Sequence, residues 1–386
     1  MENRDCYEIL LNYKCNLNCS FCSQNMTGFN PQTRLILKEI YKAKKEGFKR
    51  IGFSGGESTL RKDLPFLIKA ASKTGFDFIR LQTNGYKLSE KRYAGKLMES
   101  GLTYSKFTFL SHKSLVHDEL VGQIGAFEKS FKGLKNFTRK IGVGVNILLN
   151  RYNYKELKKT MTFFWDNDVS DFVIIYPIYV SHMYQNRSKL AVSAQMIGDY
   201  LTEVMDMASS FGVLSGIKVL NIPPCLLGKY ADRSSDYYKF NTVVCEPGIG
   251  KYDVDENVKK NKKKRILCNR CVYFEKCAGV DKNYLKIFGW KEFIPVKSKT
   301  ELQNAKSIKN AFYPKSYFTS SERCVLDLLN KNNFLNTEEI IKKSQKSVLC
   351  KGCKDGLNVL NALSSLYDKN VVDKKFLKGK YFWKLK

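Results

Sequence analysis

Residues 7–22 read YEILLNYKCNLNCSFC: an apolar run, then Cys15, Cys19 and Cys22 at the spacing C-x3-C-x2-C. The run 7–13 has the length and the aliphatic and aromatic content of a buried strand. The three thiols therefore stand on a loop at a strand's carboxyl end. Three cysteines this close cannot complete a four-thiolate site alone. A four-iron cluster takes one thiolate per iron, so three would leave one iron open to a ligand from outside the protein. Zinc is a second reading, although zinc loops favour paired C-x2-C knuckles or Cys/His mixtures. A disulfide framework suits small secreted chains, whereas this sequence has 386 residues and no secretory signal.

The next segment narrows the choice. Ser54-Gly55-Gly56-Glu57 follows the short apolar run 50–53, and paired glycines let a backbone approach a ligand closely. A cysteine trio followed one strand–helix unit later by Gly-Gly-Glu resembles the radical S-adenosylmethionine (SAM) superfamily, and Phe21 fills the place of that family's aromatic residue before the third cysteine. The resemblance implies a [4Fe-4S] cluster on Cys15, Cys19 and Cys22, with SAM chelating the open iron through its amino and carboxylate groups. Gly55, Gly56 and Glu57 would meet the SAM ammonium. It further implies an enzyme. One electron from a reducing donor cleaves SAM to methionine and a 5′-deoxyadenosyl radical, which takes a hydrogen from the substrate. No side chain is needed as a base for that cleavage, so no catalytic acid or base is assigned.

Outward from these motifs, apolar runs alternate with helical stretches. Strands are expected over 7–13, 50–53, 76–82, 104–110, 143–149 and 172–176. Helices are expected over 33–46, 64–73, 89–100, 127–139, 154–167 and 193–211. Six βα units imply an α/β fold with parallel strands and right-handed crossovers, too few to close an eight-stranded barrel. The family's core, expected here over 1–215, is such an open six-unit partial barrel. Sites in these folds form at the carboxyl ends of the strands. There the resemblance places Thr83 (in Thr83-Asn84-Gly85), Ser111 and Asn146 near the ribose and carboxylate of SAM, and the backbone at Tyr176 near its adenine. The tripeptide also reads as a tight turn, and Asn146 also reads as a satisfied polar residue in a strand. His117, in a loop resembling one found in a branch of the family, reads as a cleft residue or as a helix-start residue beside Asp118.

A second cysteine set, Cys268, Cys271 and Cys277, has the spacing C-x2-C-x5-C, with Cys225 upstream after Pro223-Pro224. These four would saturate one auxiliary [4Fe-4S] cluster, and the region 216–300 resembles the SPASM or twitch extensions of radical SAM enzymes. Where SPASM enzymes continue to a further cysteine, this chain has Asp281, which favours one auxiliary cluster over two. Cys245 is a spare that would replace Cys225. Structural zinc on the same thiolates stays open. The run Lys259-Lys260-Asn261-Lys262-Lys263-Lys264-Arg265 reads as a mobile solvated loop or as a contact for nucleic acid or an acidic peptide.

Residues 315–386 read as a separate unit. Three helices followed by a hairpin is the winged-helix order. Positions 321–386 carry 14 Lys/Arg against 7 Asp/Glu, a sign that suits a nucleic-acid reader, although winged helices also hold proteins. Cys350 and Cys353 form a lone C-x2-C that Cys324 would join. The whole chain has net charge +29 and 43% hydrophobic residues. Such a balance favours polyanionic partners, or it merely solvates the surface. No apolar run reaches membrane-spanning length. Twelve cysteines in a chain without a signal point to metal ligation in a reducing compartment, the cytoplasm. The expected substrate is a peptide or protein, as in a maturase. The alternatives are RNA (tRNA) modification by the same chemistry, or a non-catalytic iron–sulfur or zinc regulator that binds DNA.

Overall fold

In the computed structural model the described residues are 5–24, 28–237, 240–298, 319–332, 334–345, 356–368, 372–377 and 379–385. Cys350 and Cys353 lie outside them. The six expected strands all form, as β1 (Cys6–Leu10), β2 (Arg50–Ser54), β3 (Phe78–Thr83), β4 (Tyr104–Thr108), β5 (Gly142–Leu148) and β6 (Asp171–Ile175). Between them lie α1 (Thr33–Lys45), α2 (Leu64–Lys73), α3 (Lys91–Glu99), α4 (Ser114–Val121), α5 (Ala126–Phe137) and α6 (Leu157–Trp165), followed by α7 (Ser181–Gln185), α8 (Arg187–Leu190) and α9 (Ala194–Ser210). The helix α1 buries Ile36, Ile40 and Ala43 at i, i+4 and i+7, the stripe that packs a helix onto a sheet. Pro65 opens α2, where a missing N–H costs nothing.

The sheet continues past residue 215. β7 (Ile217–Leu220) adds to β6, and β8 (Thr242–Glu246) returns to pair in parallel with the other side of β1. β9 (Gly250–Asp253) closes the edge antiparallel to β8. The order β7-β6-β5-β4-β3-β2-β1-β8-β9 makes nine strands, the first eight parallel. β1 thus lies inside the sheet and is buried along its whole length, as parallel strands covered on both faces are. Tyr7, Ile9 and Leu11 are fully buried, each aliphatic side chain contributing about 1.5–3 kcal/mol.

After β9 come α10 (Val254–Lys260), β10 (Lys262–Lys263), β11 (Val280–Asp281) and α11 (Lys282–Phe288). The basic run at 259–265 is a structured brace. Lys262 pairs with Asp236 at 3.1 Å, both nearly inaccessible. Lys264 donates to the Phe274 carbonyl at 2.6 Å, and Arg265 donates to that of Phe293.

The chain divides into two compact units: Met1–Phe164, Val169–Val204 and Gly216–Lys306 form one, and Trp165–Asp168, Met205–Ser215 and Ser307–Lys386 the other. The tail of the second unit holds α12 (Ser320–Lys331), β12 (Leu335–Asn336), α13 (Thr337–Gln345), α14 (Gly356–Asp368), β13 (Val372–Leu377) and β14 (Lys380–Leu385). Its sheet order is β12-β14-β13, antiparallel throughout. A capping box of Thr319 and Glu322 starts α12.

Candidate active site

The loop carrying Cys15, Cys19 and Cys22 leaves the carboxyl end of β1 and is half-buried. Backbone bonds fix it from below. Gly56 N–H donates to the Asn12 carbonyl and Glu57 N–H to that of Lys14, both at 2.7 Å. The two glycines are needed for that crossing. A Cβ on Gly55, which has φ +144°, would strike the Asn12 carbonyl, and one on Gly56 would strike those of Lys14 and Tyr13. The close approach is thus to the cysteine loop's own backbone, where the sequence suggested an approach to ligand.

Glu57 is fully buried. Its Oε1 accepts from Thr59 N–H at 3.0 Å, Thr59 Oγ1 at 2.6 Å and Thr83 Oγ1 at 2.7 Å, and its Oε2 accepts from Asn84 N–H at 2.7 Å. Burial pushes its carboxyl up, while these donors pull it down. The carboxylate ties the end of β2 to the end of β3, so the Glu57 and Thr83 side chains serve the frame. Asn84 is the residue that reaches the cysteines: its Nδ2 lies 2.8 Å from Asn16 Oδ1 and 3.9 Å from Cys15 Sγ. Gly85, at φ +80°, makes the turn the tripeptide implied.

Two more elements clamp the loop from its other side. Asn18 N–H and Ser20 N–H donate to the Val121 and Leu120 carbonyls at the end of α4. From α7 and the residue after it, His182 Nδ1 meets the Cys19 carbonyl at 3.2 Å, Asn186 Nδ2 donates to that of Ser20 at 2.9 Å, and Ser181 Oγ to that of Gln24 at 3.2 Å. Nothing in the cysteine motif announces these three partners.

Three of the residues named from the sequence turn their side chains into the frame. Ser111 is buried and its Oγ accepts from Lys113 N–H at 3.0 Å, closing a local turn. His117 lies inside α4 among Phe109 and Phe127. Its Nδ1 accepts from Leu110 N–H at 3.3 Å, and burial holds its pKa down to about 4. It is a neutral core residue, neither in the cleft nor at the helix start. Tyr176 is buried, with its hydroxyl toward the Val192 carbonyl and Tyr179.

Asn146 does face the interior. It lines a cavity of about 750 Å³ enclosed by the curved sheet. The floor of that cavity is charged. Glu8 pairs with Arg80 at 2.6 Å and accepts from Gln82 Nε2 at 2.8 Å. Lys106 pairs with Asp171 at 2.9 Å, and burial lowers its ammonium to about 8. Glycines make room for these side chains, since a Cβ on Gly52 would collide with Glu8 and one on Gly144 with Lys106. The cavity touches Ser23 and Gln24, just past the first cysteine loop, and Glu275, Lys276 and Ala278, around Cys277.

The second cysteine set converges. Cys225, Cys268, Cys271 and Cys277 line one small cavity of about 30 Å³, walled by Pro223, Tyr273, Phe274, Val280 and Phe293. Burial and the neighbouring thiols push Cys225 up to about 12, and burial with Asp236 nearby does the same to Cys277. Cys245 is not at this cavity: it is buried on β8, the strand that flanks β1. Asp281 is engaged as a helix cap, accepting from Asn283 and Tyr284 N–H and from Asn261 Nδ2. Among the described residues no three His, Cys, Asp or Glu side chains are drawn in as tightly as one metal ion requires, and no helix is long and apolar enough to cross a membrane.

Residues 9–164 match the family model of the radical SAM superfamily. Over 108 residues the chain is 41% identical to the 7,8-dihydro-6-hydroxymethylpterin dimethyltransferase of Methanocaldococcus jannaschii, covering 26% of this chain and 21% of that protein. Over 175 residues it is 27% identical to a probable GTP 3′,8-cyclase of Sulfolobus acidocaldarius, covering 43% and 54%. The chain thus spans from about a fifth to about half the length of these curated relatives. Among solved structures it resembles Streptococcus suis SuiB bound to its precursor peptide SuiA, with TM-score 0.56, 16% identity, and 75% and 74% of the two chains covered. It also resembles anSMEcpe with bound AdoMet and the Kp18Cys peptide, with TM-score 0.54, 16% identity, and 75% and 96% covered. At that identity the likeness speaks for the fold.

Proposed function

We propose that this chain, a radical SAM protein over residues 9–164, is an enzyme that reductively cleaves SAM and removes a hydrogen atom from a peptide or protein substrate. The observation that carries the reading is the position of the cysteine loop. It stands at the carboxyl end of β1, clamped by backbone bonds, with Cys15 beside Asn84 and with Ser23 and Gln24, just past it, lining a cavity large enough for a substrate side chain or ligand. When bound, the [4Fe-4S] cluster and SAM supply a one-electron cleavage of the sulfonium and a 5′-deoxyadenosyl radical.

The residues that would hold the cluster are Cys15, Cys19 and Cys22. Each thiol is unpaired, and burial with the neighbouring thiols raises Cys19 well above the usual thiol range. A set of thiols that disfavour each other's ionisation gains most from a cationic centre that pulls their protons off. The Gly55-Gly56 backbone, Asn146 and the backbone at Tyr176 would orient SAM, with Glu57, Thr83 and Ser111 holding the frame around them. The four thiols Cys225, Cys268, Cys271 and Cys277 would saturate an auxiliary [4Fe-4S] cluster, for electron transfer or support. The domains that follow are a radical SAM core over 1–215, a cluster region over 216–300 and a winged-helix-like unit over 315–386. A reducing compartment, the cytoplasm, with its own electron donor, suits thiolate-held clusters.

Peptide is preferred as substrate because structures of like fold are described with peptides bound. The curated relatives are named for a nucleotide and a pterin, which makes a small molecule the competing reading. The test is anaerobic reconstitution with SAM and a strong reductant. Formation of 5′-deoxyadenosine that is absent from Cys19→Ala is expected. If fully iron-loaded protein made none under any reductant, the enzymatic reading would fall.

A further inference from the structure

We propose that the outward face of α14 and the tip of the β13–β14 hairpin together form a docking surface for an acidic polypeptide segment with aromatic or leucine anchors. The proposal rests on the peptide-substrate reading above and adds the place and chemistry of recognition.

The helix α14 turns Val359, Ala362, Leu363 and Leu366 inward. Its outward positions Leu357, Leu360, Asn361, Ser364 and Tyr367 recur at helical spacing, and Leu357, Leu360 and Tyr367 are 65%, 45% and 41% exposed. On the hairpin, Phe376 lies opposite Tyr381 and Lys374 opposite Trp383. These four side chains share one face, because alternate residues of a strand point the same way. At the base of that face Trp383 is buried and its Nε1 donates to Thr337 Oγ1 at 2.9 Å. Toward the tip the face emerges as Phe376 and Tyr381, 60% and 50% exposed, with ring centroids 4.9 Å apart. Lys374 joins hairpin to helix: its Nζ sits 4.4 Å from the Tyr367 ring and 5.7 Å from that of Tyr381. Helix and hairpin thus present one continuous surface of leucine, aromatic rings and a central cation.

Exposed aromatic clusters of this kind mark contact sites. The charges select the partner. On the hairpin Lys380 is paired with Glu338 and Lys384 with Asp373. Among the described residues Lys374 has no carboxylate partner, so a cation stands within the apolar surface and calls for an acidic group between apolar anchors. Nucleic acid fits less well. Phosphate recognition needs rows of Lys and Arg on the inserted element, and Gly356–Asp368 contains neither.

The test titrates the full chain, by fluorescence anisotropy at physiological salt, into four labelled probes. They are a synthetic peptide alternating Glu or Asp with Leu and Phe, the same peptide with Lys in place of the acids, a DNA duplex, and a single-stranded RNA. The acidic peptide is expected to bind tightest. Phe376→Ser and Tyr381→Ser are each expected to weaken it about tenfold, and Lys374→Glu more than Lys374→Arg. Unchanged melting temperatures would show that these exposed substitutions leave the fold intact. Equal or tighter binding of DNA or RNA, no binding of the acidic peptide, or indifference to all three substitutions would overturn the proposal. Substrate-free 5′-deoxyadenosine formation should survive in every variant. Its absence from the unsubstituted chain would sink the radical SAM reading alone.

Discussion

The two cysteine sites are built by opposite means. The first hangs from backbone: Gly56 and Glu57 N–H below it, the end of α4 beside it, and three side chains around α7 gripping its carbonyls. The thiols of both sites are partly buried. The second is pressed together by apolar walls and by basic side chains that bind carbonyls around it, Lys264 to Phe274 and Arg265 to Phe293. Three thiols held by main chain would leave room for a ligand from outside the protein, whereas four thiols drawn to one small cavity would leave none.

That contrast is sharpest if each site is broken alone. Cys19→Ala should abolish 5′-deoxyadenosine formation and lower iron from about eight to about four per chain. Cys271→Ala should also remove about four irons, yet leave the SAM-induced change in the electron paramagnetic resonance spectrum of the remaining cluster. If Cys271→Ala removed that response instead, the roles proposed for the two cysteine sets would be reversed.

Glu57→Gln keeps one acceptor oxygen and sets an amide NH2 against the N–H of either Thr59 or Asn84. Leaving such a buried donor unmatched should cost about 2–3 kcal/mol in chemical denaturation, and iron should be lost from the first site before the second. Equal loss from both would mean that Glu57 supports the sheet as a whole.

Between the sites, Lys106 reports on the cavity. Its pKa falls from 10.5 to about 8 on folding. Between those values the unfolded chain still holds a proton that the folded chain has released, so the Lys106 contribution to stability rises with pH from about 8 to 10.5. Lys106→Met should flatten that rise, by about 1–3 kcal/mol over the window. An unaltered slope would show that ion pairing with Asp171 offsets the burial. The smallest effect is expected from Asn186→Leu, about 1 kcal/mol for one lost hydrogen bond, with a shifted spectrum of the first cluster and none of the second.

The sequence disclosed what repeats or clusters locally. Six strands and their helices followed from apolar runs spaced along residues 7–211, and α2 was read to its ends. Cys225 and its three partners were legible because thiols are rare enough to carry information. The grip of Ser181, His182 and Asn186 on the cysteine loop was not. These residues bind carbonyls, which every residue has, so no pattern in the loop specifies them. The basic run at 259–265 read as solvated because charge alone does not reveal a buried partner such as Asp236. Glu57 and Ser111 were assigned outward roles since sequence does not say which donors surround a side chain. The pairing of β8 with β1 joins strands more than two hundred residues apart, a distance no local periodicity can span.

That last pairing has a consequence for how the protein comes into being. During synthesis β1 emerges first and can find β2 within seconds, but its other neighbour is still to be made. At about 5–20 residues per second, on the order of ten to fifty seconds pass before β8 leaves the ribosome. Throughout that interval the strand leading into the first cysteine loop has one bare flank. A metal centre installed during this time would meet an unfinished seat, and one installed after release a finished one.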